Sequence, residues 1–219
     1  MSKDMLGPLP RAIANVPNSR HGIILDIANR LNENSESGDA FHADLAKFAR
    51  SWQKKPAMAK PRILSLISAG QTIEIGETDG KETLAKAQDV FTGYVDPDFQ
   101  NWGLDVSGKP TQKSLVEVHE MIGDANFNGI FNDLGRPLDE LVLTQAQIKR
   151  FARDNRNWLR TDGYATFFLF KENDEFCVAR VSVYDDGQLR VRVHRFGCGG
   201  VWFAGIGRRV VVPQQILGA

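Results

Sequence analysis

No run of apolar residues in this chain approaches the roughly 20 that a membrane-spanning helix needs, so no bilayer partner is expected. The opening residues, MSKDMLGPLP, lack the apolar core of a signal peptide, and a soluble, cytoplasmic protein is the expectation. Cysteine is scarce. Cys177 and Cys198 are the only 2 in 219 residues, too few for a disulfide framework. A bond between neighbouring strands and a pair of buried reduced thiols both fit their spacing, and reduced thiols are expected. The 4 histidines are scattered. His119-Glu120 lacks the second His of a zinc-protease helix, and His21 and His42 have no partner at ligand spacing. No repeat at a fixed period and no low-complexity tract is present.

Net charge is also missing: 27 basic side chains balance 27 acidic ones. The balance is not local. Residues 1–62 carry 10 basic and 6 acidic side chains, net +4; residues 63–143 carry 5 and 14, net −9; residues 144–219 carry 12 and 7, net +5. An acidic middle between basic ends is either charge complementarity, within or between molecules, or ordinary variation of solvated faces.

The stretch from Tyr164 to Pro213 is the most strongly patterned and reads as an antiparallel sheet. Ala165–Phe170 is an apolar run, Lys171–Asp174 a polar turn, and Phe176–Tyr184 a second strand through Val178, Val181 and Val183. Asp186-Gly187 then signals a hairpin, because Gly tolerates positive φ. From Leu189 to Phe196 the alternation sends Leu189, Val191 and Val193 one way and Arg190, Arg192 and His194 the other. Arg209–Val212 is a last strand, closed by Pro213. In front of the sheet, Gln145–Leu159 is expected to be a helix. Thr144 and Gln147 form a capping box, Leu143 and Ile148 a hydrophobic staple, and Ile148, Phe151, Ala152, Trp158 and Leu159 one apolar face.

Upstream the signals are helical. Gly7, Pro8, Pro10 and Pro17 mark an irregular lead-in. Ser19 or Asn18 caps a helix to Leu31, and Asp39 caps another in which Phe41, Leu45, Phe48 and Trp52 align, together a helical hairpin. Gln53–Arg62 is a basic, proline-containing linker. Thr72–Ile75 reads as a lone strand. Asp79 and Glu82 predict a helix through Phe91, with Leu84, Ala87 and Phe91 inward, and Thr111 predicts a helix to Ile122, with Leu115, Val118 and Ile122 inward. The expected fold class is α+β: a helical N-terminal part (1–62), a mixed, mainly helical acidic segment (63–143), and a helix-capped antiparallel sheet of about four strands (144–219), with 63–219 as one domain.

The run Asn157-Trp158-Leu159-Arg160-Thr161-Asp162-Gly163-Tyr164-Ala165-Thr166-Phe167-Phe168-Leu169-Phe170, together with Val210-Val211-Val212-Pro213-Gln214, resembles a family of uncharacterised bacterial proteins known mainly from genome and metagenome sequencing. The resemblance extends over most of the chain from the first helix. It implies a bacterial, soluble protein and carries over no functional residue.

Three constellations carry chemistry. Asp124, Asn126, Asn128, Asn132 and Asp133 place oxygens at the spacing of an EF-hand-type calcium loop, with Gly129 at the sharp turn. Gly135 stands where a bidentate Glu belongs, and an ordinary structural turn explains the same residues. Arg180, Arg190, Arg192 and His194, with Ser182 and Tyr184 beside them, make a sheet face suited to phosphates and bases, or simply a solvated one. Cys198, close to His194 and flanked by Gly197, Gly199 and Gly200, has the elements of acyl-transfer chemistry, though a Gly-rich turn accounts for them too. No catalytic set is complete. The expected function is a non-enzymatic interaction module binding protein or nucleic acid; the alternatives are a small enzyme using Cys198 and His194, or a calcium-binding protein.

Overall fold

The computed structural model describes residues 61–215, together with the isolated positions Asn29, Ala40, Ala43, Asp44 and Lys47. The chain divides into two units, Met1–Lys60 and Pro61–Ala219. The helical hairpin expected over residues 19–52 and the linker as far as Lys60 lie outside the described residues.

The second unit holds one mixed sheet of 8 strands: β1 (Leu64–Leu66), β2 (Ile73–Ile75), β3 (Tyr94–Val95), β4 (Ser114–Met121), β5 (Ala165–Glu172), β6 (Glu175–Val183), β7 (Leu189–Arg195) and β8 (Arg209–Pro213). Their order is β1-β4-β8-β5-β6-β7-β3, and β2 shares the outer edge of β4 with β1. Pairing is antiparallel except at β5–β8 and β3–β7. Among the described residues of this unit, three α-helices accompany the sheet: α1 (Asp98–Asn101), α2 (Phe127–Asn132) and α3 (Gln145–Asp154).

Local chemistry explains the β5–β6–β7 meander. Asn173 and Asp174 both take positive φ (50° and 61°), as a two-residue primed turn demands, and Glu172 pairs with Glu175 across it. Gly187, at φ 75°, donates its N–H to the Tyr184 carbonyl at 2.8 Å and closes the next turn. Ala165 through Phe170 are all buried. A strand covered on both faces needs no polar alternation, which is why this segment is apolar but for Thr166, whose hydroxyl accepts from Arg160 N–H at 2.8 Å.

Each face carries its own core. On one, α3 lays Ile148, Phe151 and Ala152 against Phe168, Val181, Val191 and Val211, with the Phe151 and Phe168 rings edge-on at 5.4 Å. The capping box starts α3 as expected: Thr144 Oγ1 accepts from Gln147 N–H at 3.2 Å, and Gln147 Oε1 accepts from Thr144 N–H at 2.9 Å, worth about 1 kcal/mol. On the other face, α2 packs Phe127, Ile130 and Phe131 over Phe167, Leu169, Val210 and Val212.

The expected sheet of about four antiparallel strands is therefore corrected to 8 mixed strands, and the acidic middle supplies half of them. The helix expected from Thr111 to Ile122 is β4. Val116 and Val118 are buried at period two, whereas Leu115 and Ile122 are 42% and 57% exposed, so the helical spacing of Leu115, Val118 and Ile122 is coincidental and two β-branched residues decide the element. The helix expected from Asp79 to Phe91 is only a 3-10 turn at Leu84–Lys86, although Leu84, Ala87 and Phe91 are buried as expected. Gln145–Leu159 is not one helix: α3 ends at Asp154, and a 3-10 turn, Arg156–Trp158, follows.

The uneven charge is used inside the unit. Lys149 pairs with Glu82 and Asp89, Lys171 with Asp139, and Arg209 with Glu120, each joining a basic C-terminal residue to the acidic middle.

Candidate functional site

On β6 and β7 the period-two pattern separates two chemistries. Cys177, Ala179, Val181 and Val183, with Leu189, Val191 and Val193, enter the α3-side core. Their neighbours face the α2 side, where the register sets Arg180 beside Arg192, Ser182 beside Arg190 and Val178 beside His194. The apolar cover from α2 ends at Val178 and His194, with the Phe127 and His194 rings 5.8 Å apart. Beyond that line the sheet face is arginine.

Each of these arginines lies over an aromatic ring. The guanidinium of Arg190 is 3.8 Å from the Tyr184 ring centre, that of Arg192 5.3 Å from Tyr94, and that of Arg180 5.6 Å from Trp202. Arg208 reaches Trp202 as well, at 5.1 Å. Trp202 is held by Phe167 at 4.9 Å and His194 at 5.5 Å, and its backbone bridges to Ala125. Cation–π contacts of this kind contribute about 0.5–1 kcal/mol when exposed and more when desolvated. They also fix the direction in which each guanidinium presents its free N–H groups.

Carboxylates are few here. Arg190 has Asp186 at 3.7 Å, and Arg195, on the opposite side of β7, has Glu175 at 2.5 Å. Among the described residues, Arg180, Arg192 and Arg208 have no ion-pair partner, and Arg180 Nε and Arg190 Nε are buried without a hydrogen bond. The mutual repulsion is felt. Burial lowers the pKa of Arg180, and Arg192 adds to the effect while Tyr184 opposes it. Burial likewise lowers that of Arg208, with Arg180 adding to it. For His194 burial is again the main cause, Arg180 and Arg192 push the same way, and Asp96 opposes them. A guanidinium stays charged despite such shifts, whereas His194 is held neutral. The face is a compact cationic field whose members are destabilised by burial and by one another.

Beside it, where β6 begins and β7 ends, lies a cleft of about 700 Å³ lined by Trp102, Phe176, Phe196, His194, Arg195 and Cys198. It is mostly apolar and open to solvent. His194 belongs to both the cleft and the arginine face, and its Nε2 is buried with no hydrogen-bond partner among the described residues.

The other sequence candidates have local roles. Cys198 is exposed, not buried, and no side-chain hydrogen bond joins it to His194; both thiols are unpaired. Cys177 is buried, and burial pushes its thiol up to about 11. Of the calcium-loop residues, Asn126 Oδ1 caps α2 by accepting from Gly129 N–H at 2.9 Å. Asp133 Oδ2 accepts from Ile63 and Leu64 N–H, both at 2.9 Å, and so anchors β1. Asp124 Oδ1 accepts from Ala204 N–H at 2.7 Å, and Asn132 donates to Asn128 at 2.6 Å. His119 sits 3.2 Å from Glu117, which also meets Arg136 at 3.7 Å. Among the described residues no three His, Cys, Asp or Glu gather as a metal-ligand set.

Alternation places Arg180, Arg190, Arg192 and His194 together, but Tyr94, Trp102, Trp202 and Arg208 carry no such signal. Tyr94 comes from the edge strand β3, Trp102 from the end of α1, and Trp202 and Arg208 from the loop before β8, which only the tertiary fold brings alongside. Comparison with protein-family models, with curated proteins and with solved structures finds no match. No helix among the described residues is long and apolar enough to cross a membrane.

Proposed function

We propose that this protein is a non-enzymatic module that binds nucleic acid through phosphate contacts on the β6–β7 face. The observation that carries the reading is the adjacent pair Arg180 and Arg192, two cations with no carboxylate partner among the described residues, each aimed by an aromatic ring. Arg190 and Arg208 extend the same field, and the guanidiniums set over Tyr94, Tyr184 and Trp202 offer planes on which bases stack. Neutral His194 supplies a hydrogen-bonding group at the end of the row. A reducing, cytoplasmic setting goes with this reading, since both thiols are unpaired.

The test is binding of the full chain to labelled DNA and RNA, single- and double-stranded, across a salt series. Affinity is expected to fall steeply with salt. Arg180→Ala with Arg192→Ala should weaken binding and flatten the slope by about one for each phosphate no longer neutralised. No binding even at low salt removes nucleic acid as the partner.

A further inference from the structure

The cleft beside β7 is too large and too aromatic to be an extension of a phosphate-binding surface alone. Resting on the phosphate-binding reading above, we propose that it receives one unpaired nucleobase, so that the protein selects single-stranded nucleic acid over duplex.

Size permits this. About 700 Å³ falls within the range of small-molecule sites and exceeds what one base and its sugar fill. The walls suit a base. Trp102, Phe176 and Phe196 are half-buried, and the Phe176 and Phe196 rings stand 6.0 Å apart at 55°. Phe131 packs against Phe196 at 6.0 Å, and the Arg195 guanidinium lies over the Trp102 ring at 4.8 Å, so both walls are held in place. Rings fixed in this way offer a base its π-face without first being ordered.

The polar groups are those an edge of a base needs. His194 lines the cleft, with its Nε2 enclosed and without a hydrogen-bond partner among the described residues, so a base meets the ring rather than that nitrogen. The Arg195–Glu175 pair at the rim supplies N–H donors and a carboxylate acceptor. Such groups go unused if the occupant is purely apolar.

The cleft is also continuous with the arginine face. The Arg180–Arg192 pair lies two residues along the strands from the Val178–His194 pair, about 7 Å at strand spacing. A phosphate held between Arg180 and Arg192 therefore leaves its neighbouring base at the mouth of the cleft. A base stacked and paired in a duplex reaches it only after unstacking, which costs a few kcal/mol. Discrimination against duplex follows from that cost.

The test compares three probes on the full chain at low salt: oligothymidylate, an abasic deoxyribose-phosphate chain of equal length, and a duplex of equal length. Oligothymidylate is expected to bind about tenfold or more tightly than either of the others, the range that stacking of one base supplies. Phe196→Ala should abolish that advantage and leave binding of the abasic chain unchanged. A second readout uses the unaltered protein. Cys198 lies on the rim and Cys177 is buried, so oligothymidylate should slow modification of the native thiol by a soluble disulfide reagent, and the abasic chain should not. If the abasic chain binds as tightly as oligothymidylate, or Cys198 is not protected, the base site is wrong and the phosphate-binding face survives. If no probe binds, both fall together.

Discussion

Lys149 is the most deeply buried ammonium among the described ion pairs, and its removal and the removal of its partners should have unequal effects. Its side chain is 6% exposed, on α3, while Glu82 and Asp89, at 2.5 and 3.0 Å, are 43% and 59% exposed. Burial opposes its charge, yet hydrogen bonds to both acids outweigh this and raise its pKa. In Glu82→Gln with Asp89→Asn, a buried cation is left without a counter-charge. A fully enclosed pair would lose about 3–5 kcal/mol on such a change; with half-exposed acids, water reaches the ammonium, and about 2 kcal/mol is the expected loss. In Lys149→Met the acids rehydrate and the aliphatic stem is retained, so the expected loss is about 1 kcal/mol or less. The triple variant should resemble Lys149→Met. Urea unfolding followed by tryptophan fluorescence reads the difference, since Trp102, Trp158 and Trp202 all lie in the second unit. If Lys149→Met destabilises more than the acid pair does, the ammonium is not held by its charges, and the account of how residues 79–91 are fastened to α3 fails.

Two further outcomes are expected. With a soluble disulfide reagent the native protein should release one equivalent of thiol quickly, from Cys198, and a second only in denaturant, because Cys177 is buried and its pKa is raised to about 11; two fast thiols would contradict the packing of β6. On acidification, stability should hold down to about pH 4 and then fall. Asp105 is held below its usual pKa by the Thr83 hydroxyl and then Lys86, against burial, and Asp154 chiefly by Arg153. A depressed carboxyl stabilises above its unfolded pKa, and that contribution is lost as pH drops through the lower folded value. Asp105→Asn should therefore make the acid limb shallower, and an unchanged limb in urea titrations at pH 2–5 would refute the assignment.

What can be read from the sequence is what is local. The β5–β6–β7 meander follows from alternation and two turns, and the capping box of α3 needs only four residues. The same alternation places the arginine row, because a strand has no other way to arrange Arg190, Arg192 and His194. Leu84, Ala87 and Phe91 are legible as buried though not as a 3-10 turn, since an apolar spacing reports which side is inward more faithfully than which helix presents it. β4 escapes such a reading because Leu115, Val118 and Ile122 match a helix by accident and no local residue betrays its partners, β2, β1 and β8, about 40, 55 and 90 positions away. Trp202 and Tyr94, which aim the arginines, are invisible for the same reason.

β8 is the last of the eight strands in sequence, yet it lies between β4 and β5 and joins the two halves of the sheet. On the ribosome the other seven strands emerge first, and until β8 follows, β4 and β5 each present a bare inner edge to any strand nearby. The meander can assemble alone, but its union with β1, β2 and β4 must wait for Arg209–Pro213. This makes folding a late, long-range closure of the slow kind that non-local topologies impose. A premature stop before residue 209 would not shorten the sheet at its margin but sever it at its middle.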